Sequence, residues 1–152
     1  ARFFEEYGEE LERRGIRLAL PETLGLLHEI TAFLKEGSVL GATLDFWFRL
    51  PKAASDPDPY SDLPVERLII VSLPFEVPDD PKLLALARKL PPEANNFMEL
   101  SLPRTIFRLR RIIYPILGNP NLKEVIILDP RIWQKDYGRA ILDNLGGVEV
   151  RI

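Results

Sequence analysis

Two uninterrupted aliphatic runs constrain the fold of this chain more than any other feature. Leu68-Ile69-Ile70-Val71 and Val125-Ile126-Ile127-Leu128 each hold four residues without a polar side chain. Runs rich in β-branched residues are typical of strands that are buried on both faces of a parallel sheet. Between them lie stretches with helical periodicity, over 81–90 and 103–114. This alternation of strands and helices predicts a doubly wound α/β fold.

The rest of the chain extends the same alternation. Gly15 and Gly37 are predicted helix stops, and Pro81 and Pro103 are predicted helix starts. Further helices are predicted over 2–14, 22–35 and 136–145, and further strands over 16–20, 38–42 and 148–152. The sequence therefore predicts a single domain over 1–152, with a mostly parallel sheet and helices on both faces.

The segment 51–64 interrupts this pattern. It contains four prolines and three aspartates and has almost no apolar content. Proline and aspartate favour turns and offer little surface for burial. We expect an exposed, poorly ordered loop here.

Composition excludes several classes of function. The chain has no cysteine and a single histidine, His28, which excludes disulfides, thiolate metal sites and multi-histidine metal sites. No apolar run approaches the roughly 18 residues of a membrane-spanning helix, and the acidic start does not resemble a signal peptide. These features fit a cytoplasmic protein without a membrane partner. A net charge of −3 means that any nucleic-acid binding requires a local basic patch.

One such patch follows a face of the helix predicted after Pro103. Arg104, Arg108 and Arg111 recur at i, i+4 and i+7, and residues such as Leu109 lie on the opposite side. This stripe is either the solvated face of an amphipathic helix or a cationic contact for a phosphate backbone or a partner domain.

A second candidate contact follows the predicted strand at 38–42. Phe46, Trp47 and Phe48 either stack on nucleobases or pack into the core, and we expect at least one of them to be buried. Thr43 is a candidate phosphate contact beside them. His28 lies in a predicted helix without an evident partner and is expected to be a surface histidine.

Asp129 follows the second aliphatic run. Open α/β sheets bind ligands at the carboxyl ends of their strands, which makes this aspartate a candidate ligand contact. An aspartate directly before Pro130 is equally an ordinary turn or capping residue.

Several short motifs occur in a fixed order along the chain. They are Gly41-Ala42-Thr43-Leu44-Asp45-Phe46-Trp47, Ser72-Leu73-Pro74-Phe75, Pro78-Asp79-Asp80-Pro81, Ser101-Leu102-Pro103, Leu128-Asp129-Pro130-Arg131 and Tyr137-Gly138. This ordered set resembles the second motor domain of the DinG/XPD branch of superfamily 2 DNA helicases, over roughly residues 2–150. The resemblance implies a RecA-like C-terminal domain, cut from a longer protein and lacking its first strand.

The same resemblance implies partners and cofactors. The parent protein would be an ATP-dependent DNA helicase that binds ATP and magnesium. This chain would contact the first helicase domain of that protein and single-stranded DNA. It would bind neither ATP nor magnesium alone.

Departures from the family pattern fall in the ATPase site. The phosphate-binding motif Gly-x-x-x-x-Gly-Lys-[Ser/Thr] is absent. Where the family has Glu-Gly-x-Asp, this chain has Phe-Arg-Leu-Pro over 48–51. Where the family has Gln-Gly-x-Gly-Arg-x-x-Arg, it has Arg111 at the glutamine position and Pro115 and Gly118 at the arginine positions. Arg111 is the one nearby candidate for a nucleotide contact, and we expect the isolated chain not to hydrolyse ATP.

Three functions remain open at this point. The chain is a nucleic-acid-contacting part of a helicase, a degenerate helicase domain that serves as an interaction or scaffold module, or an unrelated domain that binds a small molecule at its strand ends.

Overall fold

The computed structural model describes residues 2–20, 24, 27–48, 50 and 60–146. The chain has an α/β structure, with its elements in this order: α1 (Arg2–Arg13), β1 (Leu18–Ala19), α2 (Leu27–Lys35), β2 (Val39–Leu40), α3 (Leu44–Phe48), β3 (Arg67–Ile70), α4 (Pro81–Ala87), a π-helix (Phe97–Ser101), α5 (Leu102–Ile113), a 3-10 helix (Tyr114–Ile116), β4 (Glu124–Ile127), α6 (Arg131–Gln134) and α7 (Asp136–Asp143). The strand predicted over 148–152 and most of the predicted loop, residues 51–59, lie outside the described residues.

The chain divides into two compact units. The first comprises Ala1–Arg67 with Pro115–Glu124, and the second comprises Leu68–Tyr114 with Val125–Ile152. In the first unit β1 and β2 pair in parallel, with Leu18 beside Val39. β3 and β4 form a second two-stranded sheet. The described strands thus form two short sheets rather than the single sheet predicted.

The pairing of β3 with β4 confirms that the two aliphatic runs belong to one sheet. The Lys123 N–H donates to the Glu66 carbonyl (2.8 Å), and the Leu128 N–H donates to the Ile70 carbonyl (2.9 Å). The bonds advance in the same direction on both strands, which is the parallel pattern. Each strand begins and ends one residue earlier than predicted.

One face of this sheet differs from the prediction. Ile70 is buried, but its neighbours in sequence, Ile69 and Val71, are 48% and 46% exposed, and Leu128 is 51% exposed. Side chains alternate between the two faces of a strand, so one face is covered and the other is open. The aliphatic runs predict that both faces are covered. Within the described residues, the second face is not covered by a helix.

Local chemistry explains where several helices begin and end. The Asp80 carboxylate accepts hydrogen bonds from the Lys82 and Leu83 N–H groups (2.7 and 3.2 Å), and Pro81 occupies the first helical position. Gly15 and Gly37 have φ of 72° and 73°, the left-handed conformation that ends a helix at little cost to glycine. These starts and stops are confirmed.

The first unit contains a buried polar anchor that the sequence did not reveal. Leu63 is buried, so the end of the predicted exposed loop is in fact part of the core. Asn119, also buried, donates to the carbonyls of Tyr60 (2.6 Å) and Leu63 (2.7 Å) and accepts from the Asn121 N–H (2.8 Å). The amide thereby joins the turn at 60–64 to the segment at 119–121 through backbone carbonyls.

The second unit has an aliphatic core. Among its described aliphatic side chains, Leu109, Ile113, Ile132, Ile141 and Leu145 are at most 2% exposed. α6 and α7 approach closely because Gly138 lies against the Ile132 carbonyl, where a Cβ atom would come within 1.9 Å of the oxygen. None of the helices in the described ranges is long and apolar enough to cross a membrane.

Candidate nucleic-acid interface and strand-end cluster

The arginine stripe lies on the exposed side of α5, as predicted. On the opposite side Leu109, Ile112 and Ile113 are buried. Arg104 and Arg108 are partly exposed, and Arg111 is exposed. The amphipathic character of this helix is therefore confirmed, and a contact with nucleic acid remains a prediction.

Glu76 holds two of the three arginines. Its carboxylate accepts from Arg104 Nε (2.5 Å) and Nη2 (2.7 Å), and from Arg108 Nη2 (2.7 Å). Its side chain is only 9% exposed, whereas those of Arg104 and Arg108 are 42% and 34% exposed. The hydrogen bonds from Arg104 and the charge of Arg108 hold the pKa of Glu76 below its ordinary value, against the opposing effects of burial and of nearby Asp80. Glu76 therefore stays ionised and neutralises part of the stripe.

A shallow groove runs along the same face of α5. Its volume is about 400 Å³, and it is lined by Pro103, Phe107 and the three arginines. Phe107 is 62% exposed. Spacings of three and four residues place it between Arg104 and Arg111 on one side of the helix. An exposed aromatic ring among guanidinium groups was not anticipated from the sequence, although the helical spacing would have revealed it.

The positions at which the resembled family carries its two arginines are occupied differently. α5 ends at Ile113, and Tyr114–Ile116 continues as a 3-10 turn. Pro115 has no backbone N–H and disfavours the α-helical conformation at the residue before it, which explains the change. The α-helix therefore ends two residues before this proline. Pro115 and Gly118 have no cationic side chain, so these positions do not fit a triphosphate.

Thr43, Phe46 and Trp47 lie together in the first unit, on and before α3. The Thr43 hydroxyl accepts from the Phe46 N–H (3.2 Å), and its carbonyl accepts from the Trp47 N–H (3.0 Å), so Thr43 caps this short helix. Trp47 packs against Tyr60, with ring centroids 5.0 Å apart, and its carbonyl accepts from the Tyr60 hydroxyl (2.7 Å).

The burial expected for these aromatic residues is not found. Phe46, Trp47 and Phe48 are all of intermediate exposure, and none of them is buried. The expectation was wrong because these residues form a short helix, whose side chains spread around its axis, rather than an extended continuation of β2.

Asp129 connects the carboxyl ends of β3 and β4. It is 3% exposed and accepts from the Leu73 N–H (2.8 Å), the Arg131 N–H (3.0 Å) and the Arg131 guanidinium (2.5 Å from Nη2). The guanidinium and these backbone donors hold the pKa of Asp129 well below its ordinary value despite burial. These contacts match the capping interpretation of this aspartate.

An aromatic cluster lies beside this aspartate. The Arg131 guanidinium stacks over the Phe75 ring (4.9 Å), and Phe75, Phe97 and Tyr137 contact one another with centroids 4.9–5.9 Å apart. A cleft of about 590 Å³ opens here, between these residues and α4. Its cation, Arg131, is already bonded to Asp129 and Ser72. The cluster explains why the motifs at 72–75, 128–131 and 137–138 occur together: they pack on one another.

The part of the chain that the structure describes offers no group of three or more histidine, cysteine, aspartate or glutamate side chains that could hold a metal ion. His28 is exposed, as expected. Within the described ranges, sequence reasoning missed the contacts of Glu76 with Arg104 and Arg108, which are distant from it in sequence. It also missed the bonds from Arg131 to Asp129 and Ser72.

Comparison with known proteins gives two partial matches. Over 89 residues the chain is 34% identical to the protein named ATP-dependent DNA helicase DinG of Photobacterium profundum, a match that covers 55% of this chain and 13% of that protein. Over 91 residues it is 41% identical to the protein named 3'-5' exonuclease DinG of Bacillus subtilis, covering 55% of this chain and 10% of that protein. No family model matches the chain. These partial homologies support a relationship to DinG-like helicases.

Proposed function

We propose that this chain is part of a DinG-like, helicase-related protein, and that it contributes nucleic-acid contacts rather than a complete ATPase site. The similarity to two DinG proteins, one of them named as an ATP-dependent DNA helicase, is the observation that carries this proposal. Helicase function and DNA binding are the classes of activity that such a relationship favours.

A RecA-like, C-terminal position within the parent protein is the finer part of the proposal. The parallel pair β3–β4, with α4 and α5 between its strands, is the kind of crossover unit from which such folds are built. Asp129 and Ser72 lie at the carboxyl ends of these strands. The first helicase domain of the parent is then the intramolecular partner. It would supply the sites for ATP and magnesium.

The arginine stripe is the surface that we assign to nucleic acid. Arg104, Arg108 and Arg111 present positive charge on one face of α5, and phosphate contacts require no base sequence. Glu76 offsets one of the three charges. We therefore expect weak, strongly salt-dependent binding to single-stranded DNA. Thr43, Phe46 and Trp47 are the second proposed contact.

The test is a titration of fluorescein-labelled single-stranded DNA at several salt concentrations. Replacing all three stripe arginines by alanine should abolish binding. A matched control removes the same charge elsewhere, through Arg13→Ala, Arg14→Ala and Arg139→Ala, because these side chains are 71%, 69% and 89% exposed on α1, its C-terminal turn and α7. If the variant without the three stripe arginines still bound DNA and the control variant did not, the assignment of the stripe to nucleic acid would be contradicted.

The alternative function is a degenerate helicase domain that serves as a scaffold. Pro115 and Gly118 at the family's arginine positions favour it, as does the engagement of two stripe arginines by Glu76. Arg111, the exposed cation one helical turn before Pro115, is the proposed nucleotide contact if the parent retains activity.

Single-turnover ATP hydrolysis by the full-length parent, with single-stranded DNA present, distinguishes the two functions. Rates of about 1 s⁻¹ or more, within the ordinary range for enzymes, would refute the degenerate alternative. Loss of those rates on Arg111→Ala would identify the replacement contact. The absence of both turnover and DNA binding would favour the scaffold.

A further inference from the structure

Phe107 is an exposed aromatic side chain that the core of the second unit does not use. It is 62% exposed, whereas Leu109 and Ile113, on the other side of the same helix, are completely buried. Its ring lines the groove on α5 together with the three arginines. Single exposed apolar side chains are common on protein surfaces, and Phe107 is distinguished by the three guanidinium groups that line the same groove.

The positions along the helix define the chemistry of the groove. Arg104 lies three residues before Phe107 and Arg111 four residues after it. At a rise of about 1.5 Å per residue, the two arginines lie about 10 Å apart along the helix axis, with the ring between them. A cation on each side of an aromatic face suits a ligand that carries anions at both sides of a planar group.

We propose that Phe107 stacks on one nucleobase of a single strand whose phosphates lie on the flanking arginines. The inference rests on the proposed function and assigns to it a base-contacting residue. A base–aromatic stack tolerates every base, because every base has a π-face. The groove would therefore bind single strands without sequence preference. It would not bind a duplex in the same way, since paired bases are not available for stacking.

The charge of the groove favours a nucleic acid over a protein partner. Three arginine side chains line the groove, and Glu76 is bonded to two of them, in a chain whose net charge is −3. A protein surface that covered Phe107 would also have to supply acidic groups to the arginines. Each nucleotide of a single strand supplies both a base that can stack on Phe107 and a phosphate that can bind an arginine.

The experiment compares two labelled oligonucleotides of about 12 nucleotides, within the usual site size for single-strand binding. One is oligodeoxythymidine, and the other has the same backbone without bases. The complete chain is tested as wild type, Phe107→Leu and Phe107→Trp. Trp133→Leu serves as the matched control, because Trp133 is 50% exposed on α6, outside the groove.

Phe107→Leu should weaken binding to oligodeoxythymidine by about 5- to 150-fold, the range for loss of one base–aromatic stack. Its affinity for the abasic strand should equal that of the wild type. The salt dependence should not change, because the phosphate contacts remain. Phe107→Trp should retain affinity, and Trp133→Leu should bind as the wild type does.

Two outcomes overturn the inference while the proposed function stands. The first is equal affinity of wild type and Phe107→Leu for oligodeoxythymidine. The second is equal affinity of the wild type for the two strands. Either would exclude base stacking on Phe107 and leave the arginines as the nucleic-acid contacts of the groove. If the wild type binds neither strand at low salt, the proposed function fails as well.

Discussion

The Glu76→Gln substitution tests how far one carboxylate, whose side chain is 9% exposed, determines the arrangement of α5. In the wild type this carboxylate accepts three hydrogen bonds, two from Arg104 and one from Arg108, at 2.5–2.7 Å. Glutamine has nearly the same shape but is neutral, and its NH2 group would face a guanidinium donor. The change removes the negative charge and leaves one donor pointing at another.

The expected loss of unfolding free energy depends on how exposed Arg104 and Arg108 are. Hydrogen bonds to charged groups contribute about 1.5–3 kcal/mol each, and breaking a buried ion pair costs about 3–5 kcal/mol when a charge remains buried. Here the arginine side chains are 42% and 34% exposed and can turn to water, and glutamine buries no charge. We therefore expect the free energy of unfolding of the second unit to fall by about 1–3 kcal/mol.

The pH dependence of this difference has a definite sign. The pKa of Glu76 is lowered in the folded protein, chiefly by hydrogen bonding from Arg104. The stabilisation is therefore present above the ordinary glutamate pKa of about 4.3, and it is lost as the pH falls through the lowered value. Wild type and variant should differ most near neutral pH and converge in acid.

Urea denaturation at pH 7 and at about pH 3 measures both effects. The chain has two tryptophans, Trp47 in the first unit and Trp133 in the second. A Trp47→Phe background therefore makes emission report on the second unit alone. Glu93→Gln, at an exposed position, is the matched control and should change little. An unaltered midpoint for Glu76→Gln at pH 7, or a difference of equal size in acid, would refute the reasoning.

Three further substitutions test local features. Gly138→Ala should lower the unfolding free energy by at least about 1–3 kcal/mol in urea denaturation, because its Cβ would overlap the Ile132 carbonyl, whereas Gly146→Ala has open space and should be neutral. Asp129→Asn should cost about 1–3 kcal/mol by the same assay, because Arg131 is 38% exposed and can turn to water, and the loss should persist at mildly acidic pH, where the lowered pKa keeps the wild-type aspartate ionised. Thr43→Ala should cost about 0.5–2 kcal/mol in thermal unfolding, and Thr43→Ser should restore the cap. Equal stability of the two glycine variants, of the two Thr43 variants, or of Asp129→Asn and the wild type would contradict the respective account.

Features that depend on adjacent residues were predictable from the sequence. The Asp80-Pro81 start, the glycine stops at 15 and 37 and the helix end at Pro115 follow from backbone chemistry within a few residues. The arginine stripe follows from the helical repeat alone. Such features do not require knowledge of the distant neighbours of a residue.

Features that depend on tertiary neighbours were not predictable. Glu76 contacts Arg104 and Arg108, which lie 28 and 32 residues later in the sequence, and no local sequence pattern indicates this contact. The sequence predicts that Leu63 belongs to an exposed loop. Its carbonyl is bound by Asn119, which lies more than fifty residues later in the chain, so the local sequence does not indicate this contact. The open face at Ile69 was missed for the same reason, since an aliphatic run indicates a strand but does not specify what covers it.

The parallel pairing of β3 with β4 has a consequence for how the second unit folds. Roughly 50 residues, including α4, the π-helix and α5, separate Ile70 from Glu124, and the two strands cannot meet until the ends of that loop come together. Long-range pairing of this kind raises contact order and slows folding relative to a helical bundle of the same size. Until the strands pair, the Asp129 carboxylate lacks its Leu73 N–H donor, so closure of the loop and completion of the strand-end cluster should appear as one slow kinetic phase.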